Sequence, residues 1–208
     1  MNKVICVFRS GGDFIPAHVQ ALRRNLERCL TTPFEFHILS DIIVPDRFHH
    51  ELKHNWPGWW SKLELFRPGL FNDDDRVIYM DLDTVLVGNV DWLFDFKGPF
   101  VTLRGFRRDR WASGLMAWQG QPPSLPYMEF KKEPIAVNGG DQRFLMDVLK
   151  GKTPHSYWQD QFPGRIVSYK RHVLLTEGNQ PPENSVVCFH GKPRPWDAGE
   201  QWVQEARA

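Results

Sequence analysis

The stretch VIYMDLDTVL, residues 77–86, joins an apolar run to two carboxylates that lie two positions apart. The apolar run is typical of a buried β-strand, and in extended backbone residues i and i+2 project to the same side. Asp81 and Asp83 can therefore face one ion while Leu82 faces the core. Carboxylate oxygens are ligands that suit Mg²⁺ or Mn²⁺. The stretch predicts a strand that ends in a divalent metal site, and a strand running out into a solvated acidic loop is the alternative.

Strands and helices alternate on the N-terminal side of this stretch. The predicted elements are a strand over Val4–Phe8, a helix that begins near Pro16, a strand over Phe34–Leu39 and an amphipathic helix over Trp59–Leu70. Such alternation implies a parallel sheet with right-handed crossovers, and these sheets bind ligands at the carboxyl ends of their strands. Arg9-Ser10, Ser40-Asp41 and Asp81-Asp83 all fall at such ends.

The C-terminal half is less regular. Predicted strands lie at Phe100–Leu103, Ala112–Trp118, Arg165–Tyr169 and Val186–His190, with a proline-rich bend at Pro122, Pro123 and Pro126 and a helix over about Asp141–Leu149. This pattern indicates a smaller mixed or antiparallel second half. We therefore expect an α/β fold in one domain over residues 1–208, with a mostly parallel central sheet flanked by helices.

Composition limits the function classes. A chain of 208 residues with 41% hydrophobic content is long enough for one well-buried core. Its net charge of +1 gives no general attraction to nucleic acid. Cys6, Cys29 and Cys188 are widely spaced in apolar surroundings, which favours free thiols in a reducing compartment. No stretch approaches the roughly 18 apolar residues of a transmembrane helix, so we expect a cytoplasmic protein without a transmembrane segment.

Four further motifs accompany the two carboxylates in a fixed order. They are Trp59-Trp60-Ser61-Lys62-Leu63, Ala112-Ser113-Gly114-Leu115-Met116, Gly139-Gly140-Asp141-Gln142, and a closing segment from Val187 through His190-Gly191-Lys192-Pro193-Arg194 to Pro195-Trp196. In this order the chain resembles the retaining glycosyltransferases of family 8, which include glycogenin and bacterial lipopolysaccharide galactosyl- and glucosyltransferases. The resemblance implies a single GT-A (Rossmann-like) domain, with a donor and metal half over about 1–118 and an acceptor half over about 119–208.

The resemblance also implies roles for individual residues. Asp81, Asp83 and His190 would hold Mn²⁺, with Mg²⁺ as the alternative, on the two phosphates of a nucleotide sugar. Asp141 and Gln142 would be the catalytic pair beside the sugar. The expected donor-binding residues are Arg9, Ser10, Lys62, Leu82, Ser113, Gly114, Gly191, Lys192 and Arg194. A metal and fixed cations are chemically apt here because the leaving diphosphate gains negative charge.

The implied reaction moves a hexose from a nucleoside-diphosphate sugar, with a UDP-sugar as first choice, to an unknown acceptor, with retention. The acceptor can be a saccharide, a lipid-linked glycan or a protein. The chain departs from the family pattern at several places, and the segment Arg9-Ser10-Gly11-Gly12 lacks the base-stacking Tyr that would support uridine. Ala112 stands where many relatives have an Asn that contacts donor hydroxyls, and a shortened closing segment makes Lys192 and Arg194 compete for one role.

Two other functions fit parts of the sequence. Asp81-Leu82-Asp83 also resembles the nucleophile strand of haloacid dehalogenase-like phosphatases, with Asp81 attacking phosphate, although no adjacent acidic pair follows later in the chain. A non-catalytic protein could instead bind a nucleotide sugar or glycan through tryptophans. The tryptophans considered for that surface are Trp59, Trp60, Trp111 and Trp118.

Single residues also have simpler interpretations. Lys62 can be a solvated helix residue, Asp141 the N-cap of its helix, and His190 a packed histidine. His49, His50 and His54 are expected in a solvated loop.

Overall fold

The computed structural model describes residues 1–106, 110–134 and 139–208. The strands are β1 (Asn2–Phe8), β2 (Glu35–Ser40), β3 (Phe48–Glu51), β4 (Arg76–Met80), β5 (Thr84–Val87), β6 (Phe100–Arg104), β7 (Trp111–Gln119), β8 (Ser156–Tyr157), β9 (Ile166–Ser168) and β10 (Ser185–Cys188). The α-helices are α1 (Pro16–Cys29), α2 (Leu125–Lys132), α3 (Gly140–Leu149), α4 (Trp158–Gln161) and α5 (Gln201–Arg207). Short 3₁₀ helices cover Gly58–Phe66, Asp91–Asp95, Val173–Leu175, Glu177–Asn179 and Pro195–Asp197.

In the described residues the main sheet has the strand order β3-β2-β1-β4-β7-β6-β8. Strands β3, β2, β1 and β4 run parallel to one another. Strand β7 is antiparallel to both of its neighbours, and β8 is parallel to β6. The mostly parallel sheet predicted from the sequence is therefore present, and the carboxyl ends of β1, β2 and β4 meet at one edge.

The central strands are buried on both faces, which explains their continuous apolar sequences. In β4, Ile78 and Met80 join the apolar cluster that includes α1, while Val77 and Tyr79 join the cluster on the opposite face. Adjacent residues of a strand point to opposite faces. The sheet thus lies between two apolar layers, and β4 delivers the residues that follow Met80 to its edge.

A second sheet, β5-β10-β9 in the described residues, packs beside the first. Strand β10 is antiparallel to β5 and parallel to β9. Since β5 begins directly after Asp83, the acidic segment is held between one strand of each sheet. The segment after β10, which contains His190, is brought to the same place.

Several local predictions were wrong. Residues 58–66 form a 3₁₀ helix instead of an amphipathic α-helix reaching Leu70. It ends at Arg67 because the residue before Pro68 is held in extended backbone. The bend expected around Pro126 contains helix α2, whose first turn includes that proline. Strand β3, which holds His49 and His50, replaces part of the expected solvated loop.

The three cysteines are free and buried, as predicted. Within the described part of the chain, every helix falls short of the length and apolar character that crossing a bilayer requires.

Candidate active site

A cleft of about 710 Å³ lies at the carboxyl edge of the parallel strands. This is where open α/β sheets bind their ligands. Of the residues expected in the site, those that line the cleft are Arg9, Ser10, Lys62, Asp81, Leu82, Asp83, Asp141, Gln142, His190, Gly191 and Arg194. Residues scattered through the whole sequence are thus brought to one place. Ser113 and Gly114 lie just behind this lining, and Lys192 is exposed outside it.

The first carboxylate is fixed by strand β7 and by a tyrosine. The Asp81 backbone N–H donates to the Gly114 carbonyl at 2.9 Å, which continues the pairing between β4 and β7. The Tyr79 hydroxyl donates to Asp81 Oδ1. A Cβ on residue 114 would lie 3.1 Å from Asp81 Oδ2, so a side chain there would displace the carboxylate by a few tenths of an ångström. Gly114 therefore supports the position of the carboxylate.

Lys62 is buried between two carboxylates. Its Nζ lies 3.0 Å from Asp81 Oδ1, 3.0 Å from Asp141 Oδ2 and 3.0 Å from Ser113 Oγ. The Ser113 hydroxyl in turn donates to Asp141 Oδ2 at 2.6 Å. Burial alone would lower the pKa of Lys62, but the charges of Asp141 and Asp81 outweigh it and raise the pKa. Lys62 is therefore a buried cation that ties the end of β4 to the start of α3, and it is not a solvated helix residue.

Asp141 lies in the first turn of α3, where the helix dipole favours a negative charge. The N-cap position belongs to Gly139, with φ of 101°, and no side chain caps the helix by a hydrogen bond. The interpretation of Asp141 as a capping residue is therefore wrong. Its neighbour Gln142 is exposed and lines the cleft, so the predicted pair consists of one buried carboxylate and one amide that faces the ligand space.

The second carboxylate is paired with an arginine. Arg194 donates from Nη1 to Asp83 Oδ2, and its Nη2 lies 3.3 Å from Asp13. Burial and the neighbouring Asp81 carboxylate raise the pKa of Asp83 to about 7, against the opposing effect of Arg194. Arg194 is thus the basic residue of the closing segment that reaches the cleft, and Lys192 is not.

The carboxyl ends of β1 and β2 are joined at the floor of the cleft. Asp41 accepts a hydrogen bond from the Ser10 backbone N–H at 2.8 Å and another from the Ser10 hydroxyl. It also forms an ion pair with Arg9, whose Nη1 lies 3.2 Å from Asp41 Oδ2. Burial favours a raised pKa for Asp41, but the hydrogen bonds from Ser10 and the charge of Arg9 outweigh it and lower the pKa. Asp41 therefore remains ionised and fixes the predicted donor-binding dipeptide.

The predicted metal ligands have the right chemistry for a divalent cation, but two of them are engaged by other side chains. Asp81, Asp83 and His190 all line the cleft, and two carboxylates with an imidazole suit Mn²⁺. His190 Nε2 lies 2.6 Å from Ser168 Oγ, and Asp83 is engaged by Arg194. Over residues 1–106, 110–134 and 139–208, no three His, Cys, Asp or Glu side chains are close enough together to hold a metal. Asp83 Oδ2 is taken by Arg194, so a cation bound at that oxygen would compete with the guanidinium.

The tryptophans do not form a common sugar-stacking surface. Trp118 is fully buried and Trp60 is 6% exposed, both within the apolar core. Trp111 is 5% exposed, whereas Trp59 is 62% exposed and lines the cleft. Only Trp59 of these four offers an open ring to a ligand in the cleft.

Two contributors to the site were not predicted from the sequence. Tyr79 lies two residues before Asp81, so strand periodicity places both on one side, and this spacing was an available signal. Asp13 binds Arg194 across the mouth of the cleft, and nothing in the sequence near either residue indicates that contact.

The strand order, the acidic segment after β4 and the cleft define the GT-A fold of glycosyltransferases, and comparison with solved structures confirms the predicted fold class. The galactosyltransferase LgtC, solved with donor and acceptor sugar analogs, superimposes with a TM-score of 0.70 at 12% identity, covering 99% of this chain and 95% of LgtC. The glycosyltransferase GlyE of Streptococcus pneumoniae gives a TM-score of 0.67 at 14% identity, covering 99% of this chain and 59% of GlyE.

Sequence comparison also finds glycosyltransferases. UDP-glucuronate:xylan alpha-glucuronosyltransferase 2 of Arabidopsis thaliana is 28% identical over 152 residues, which is 66% of this chain and 23% of that protein. UDP-glucuronate:xylan alpha-glucuronosyltransferase 1 is 24% identical over 137 residues, which is 64% of this chain and 18% of that protein. The chain spans about a fifth of the length of these relatives. No protein-family model matches it.

The predicted resemblance to family 8 glycosyltransferases is confirmed by these similarities. The chain is a glycosyltransferase homologue with a GT-A fold. The phosphatase alternative is not favoured, because the similar proteins reported above are all glycosyltransferases.

Proposed function

We propose that this protein is a metal-dependent glycosyltransferase that transfers a sugar from a UDP-sugar, with retention, to an acceptor. The main structural support is the convergence of Asp81, Asp83, Lys62 and Arg194 around one cleft at the carboxyl ends of β1 and β4. Two carboxylates flanked by two cations can hold a metal diphosphate: the carboxylates bind the metal, the buried Lys62 balances the charge of Asp81, and Arg194 can face the phosphate oxygens. The uracil assignment is supported by relatives that are named for a UDP-linked donor.

In this proposal Asp81, Asp83 and His190 would hold a divalent cation, Mn²⁺ or Mg²⁺, and such an ion would supply positive charge for the leaving diphosphate. The arginine that now binds Asp83 is then released toward the phosphates. Because the guanidinium of Arg194 presents several donors in one plane, it can form two hydrogen bonds to a phosphate. Arg194 thereby exchanges one anionic partner for another instead of losing its partner.

Lys62 keeps Asp141 close to the diphosphate site. Both Asp81 and Asp141 lie 3.0 Å from its Nζ, so the sugar carbon attached to the diphosphate would lie near the start of α3. The exposed amide of Gln142 faces that position, and its oxygen can stabilise positive charge that develops on the sugar carbon. Retention is taken from the resemblance to family 8 and stays a prediction.

For the acceptor we predict only the chemical class, which is a saccharide, a lipid-linked glycan or a protein. Relatives named for xylan make a polysaccharide the first class to test. The cytoplasmic location stays a prediction from the free cysteines.

Donor hydrolysis tests the proposal without knowledge of the acceptor. We expect the protein with Mn²⁺ to release free sugar slowly from a UDP-sugar, and EDTA to stop the release. Gln142→Ala should reduce the rate about tenfold or more with little change in UDP affinity, because the amide acts on the sugar carbon. Gln121→Ala, outside the cleft, is the control. Failure to hydrolyse UDP-glucose, UDP-galactose and UDP-glucuronate alike, with no metal-dependent UDP binding, would refute the proposal.

A further inference from the structure

The Tyr79 hydroxyl is a buried polar group beside the acidic segment. Tyr79 is 2% exposed, and its ring packs in the apolar cluster that contains Val77, Met116 and Trp118. Phenylalanine would fill the same apolar space, so core packing explains the ring but not the hydroxyl. A buried hydroxyl needs a hydrogen-bond acceptor. Within the described residues that acceptor is Oδ1 of Asp81, one of the proposed metal ligands.

The contact between Tyr79 and Asp81 follows from their spacing. Tyr79 lies in β4 and Asp81 directly after it, so the two side chains project to the same side of the chain. Burial and the negative charge of Asp81 raise the pKa of Tyr79 well above its usual value of 10.0, so the hydroxyl keeps its proton and can donate at neutral pH. Lys62 Nζ lies 5.3 Å from the centre of the Tyr79 ring, within the range of a cation–π interaction. Tyr79 therefore contacts both members of the Lys62–Asp81 ion pair.

The two carboxylate oxygens of Asp81 have different surroundings. Oδ1 accepts the hydrogen bond from Tyr79 and lies 3.0 Å from Lys62 Nζ. Since an ionised carboxylate oxygen has about two lone-pair positions, these two donors fill Oδ1. Oδ2 lies on the side of Gly114, and the described residues donate no hydrogen bond to it. Asp81 lines both the main cleft and a second cavity of about 380 Å³, so Oδ2 is the oxygen left for a cation.

We propose that Tyr79 is a positioning residue for the metal site: together with Lys62 it holds Oδ1 of Asp81, so that Asp81 presents Oδ2 to the cation. The inference rests on the proposed function and adds a residue to its metal site. Carboxylates that bind metals are themselves held by hydrogen bonds from neighbouring groups, and loss of such a neighbour typically costs about 10–100-fold in metal affinity. A tyrosine that only filled the core could be replaced by phenylalanine without any effect on the metal.

Tyr79→Phe tests the role because it removes one hydroxyl and keeps the ring. The EPR signal of free Mn²⁺ measures the Mn²⁺ affinity of the protein saturated with UDP. We expect the variant to bind Mn²⁺ about tenfold more weakly or worse, because the Asp81 carboxylate is then held by Lys62 alone and can rotate. The affinity for UDP without Mn²⁺, measured by calorimetry, should change less than about twofold, because the hydroxyl acts through Asp81 and the cation.

Tyr169→Phe is the matched control. Tyr169 is 3% exposed, and its hydroxyl donates to the Glu200 carboxylate at 2.7 Å. It is not among the described residues that line either cavity. Both variants therefore remove one buried hydroxyl that is bonded to a carboxylate, and circular dichroism checks that both keep their fold. Tyr169→Phe should change the Mn²⁺ affinity less than about twofold, because Glu200 is not a proposed metal ligand.

The possible results separate this inference from the proposed function. If Tyr79→Phe binds Mn²⁺ as tightly as the unchanged protein, the positioning role is overturned and the glycosyltransferase proposal stands. If the variant loses UDP affinity without Mn²⁺ by the same factor as it loses Mn²⁺ affinity, the hydroxyl has a structural role only, and the inference is again overturned. If the unchanged protein binds no Mn²⁺ in the presence of UDP, the metal-dependent function and this inference fall together.

Discussion

Replacing Lys62 with methionine tests the buried network that joins the acidic segment to α3. The lysine side chain is 8% exposed and lies 3.0 Å from both Asp81 and Asp141. Methionine keeps much of the volume but removes the charge, so two carboxylates in a poorly solvated site lose their common partner. Breaking a buried ion pair by removing one member typically costs about 3–5 kcal/mol. For a domain of this size that corresponds to a fall in Tm of about 6–20 °C.

Urea denaturation followed by tryptophan fluorescence measures this change as a difference in the free energy of unfolding. Lys53→Met is the matched control, because Lys53 pairs with Glu51 at the surface and should change stability by less than about 0.5 kcal/mol. The double variant Lys62→Met/Asp141→Asn should recover part of the loss, because it also removes one of the unpaired charges. A loss below about 1 kcal/mol for Lys62→Met, or full additivity in the double variant, would refute the reasoning.

Three further predictions concern the cleft. Arg194→Met should weaken UDP binding about tenfold or more, whereas Lys192→Met should change it less than twofold, as measured by calorimetry; similar effects would contradict the assignment of Arg194. Gly114→Ala should weaken metal-dependent UDP binding, because its Cβ would lie 3.1 Å from the Asp81 carboxylate, and unchanged binding would show that this contact is not required. Asp41→Asn should lower the free energy of unfolding by about 1–2 kcal/mol at pH 7. The pKa of Asp41 is lowered in the folded protein, so this difference in stability should be fully present above pH 3.8, the usual pKa of the carboxyl. It should be lost as the pH falls from 3.8 through the lower pKa of the folded state. Urea titrations at several pH values measure the difference, and a value independent of pH would contradict the assignment.

The sequence predicted the parts of the fold that depend on local patterns. Residues 77–80 are apolar because both faces of β4 are covered, and that pattern is visible in the sequence. Strand β3 was missed because its residues 48–51 are mostly polar and carry no strand pattern. It forms through tertiary contacts, such as the 2.8 Å hydrogen bond between His37 and His50 on the neighbouring strand.

The sequence predicted which residues line the cleft better than it predicted the contacts between them. The order of motifs was enough to select Lys62 and Asp141, but their shared ion pair depends on how the 58–66 helix and α3 meet across the sheet edge. The choice between Lys192 and Arg194 was open for the same reason, since it depends on how the closing segment folds over Asp83. Sequence patterns identify which residues reach an edge, and the tertiary arrangement decides which atoms meet.

The most direct test of the central claim is the affinity for UDP with and without Mn²⁺, in the unchanged protein and in Asp83→Asn. We expect Mn²⁺ to tighten UDP binding about tenfold or more, because the ion links the carboxylates to the diphosphate. The variant, shown by circular dichroism to keep its fold, should lose that increase. Equal affinity for UDP with and without Mn²⁺, or an increase that survives in Asp83→Asn, would contradict the assignment of this cleft as a metal-dependent diphosphate site.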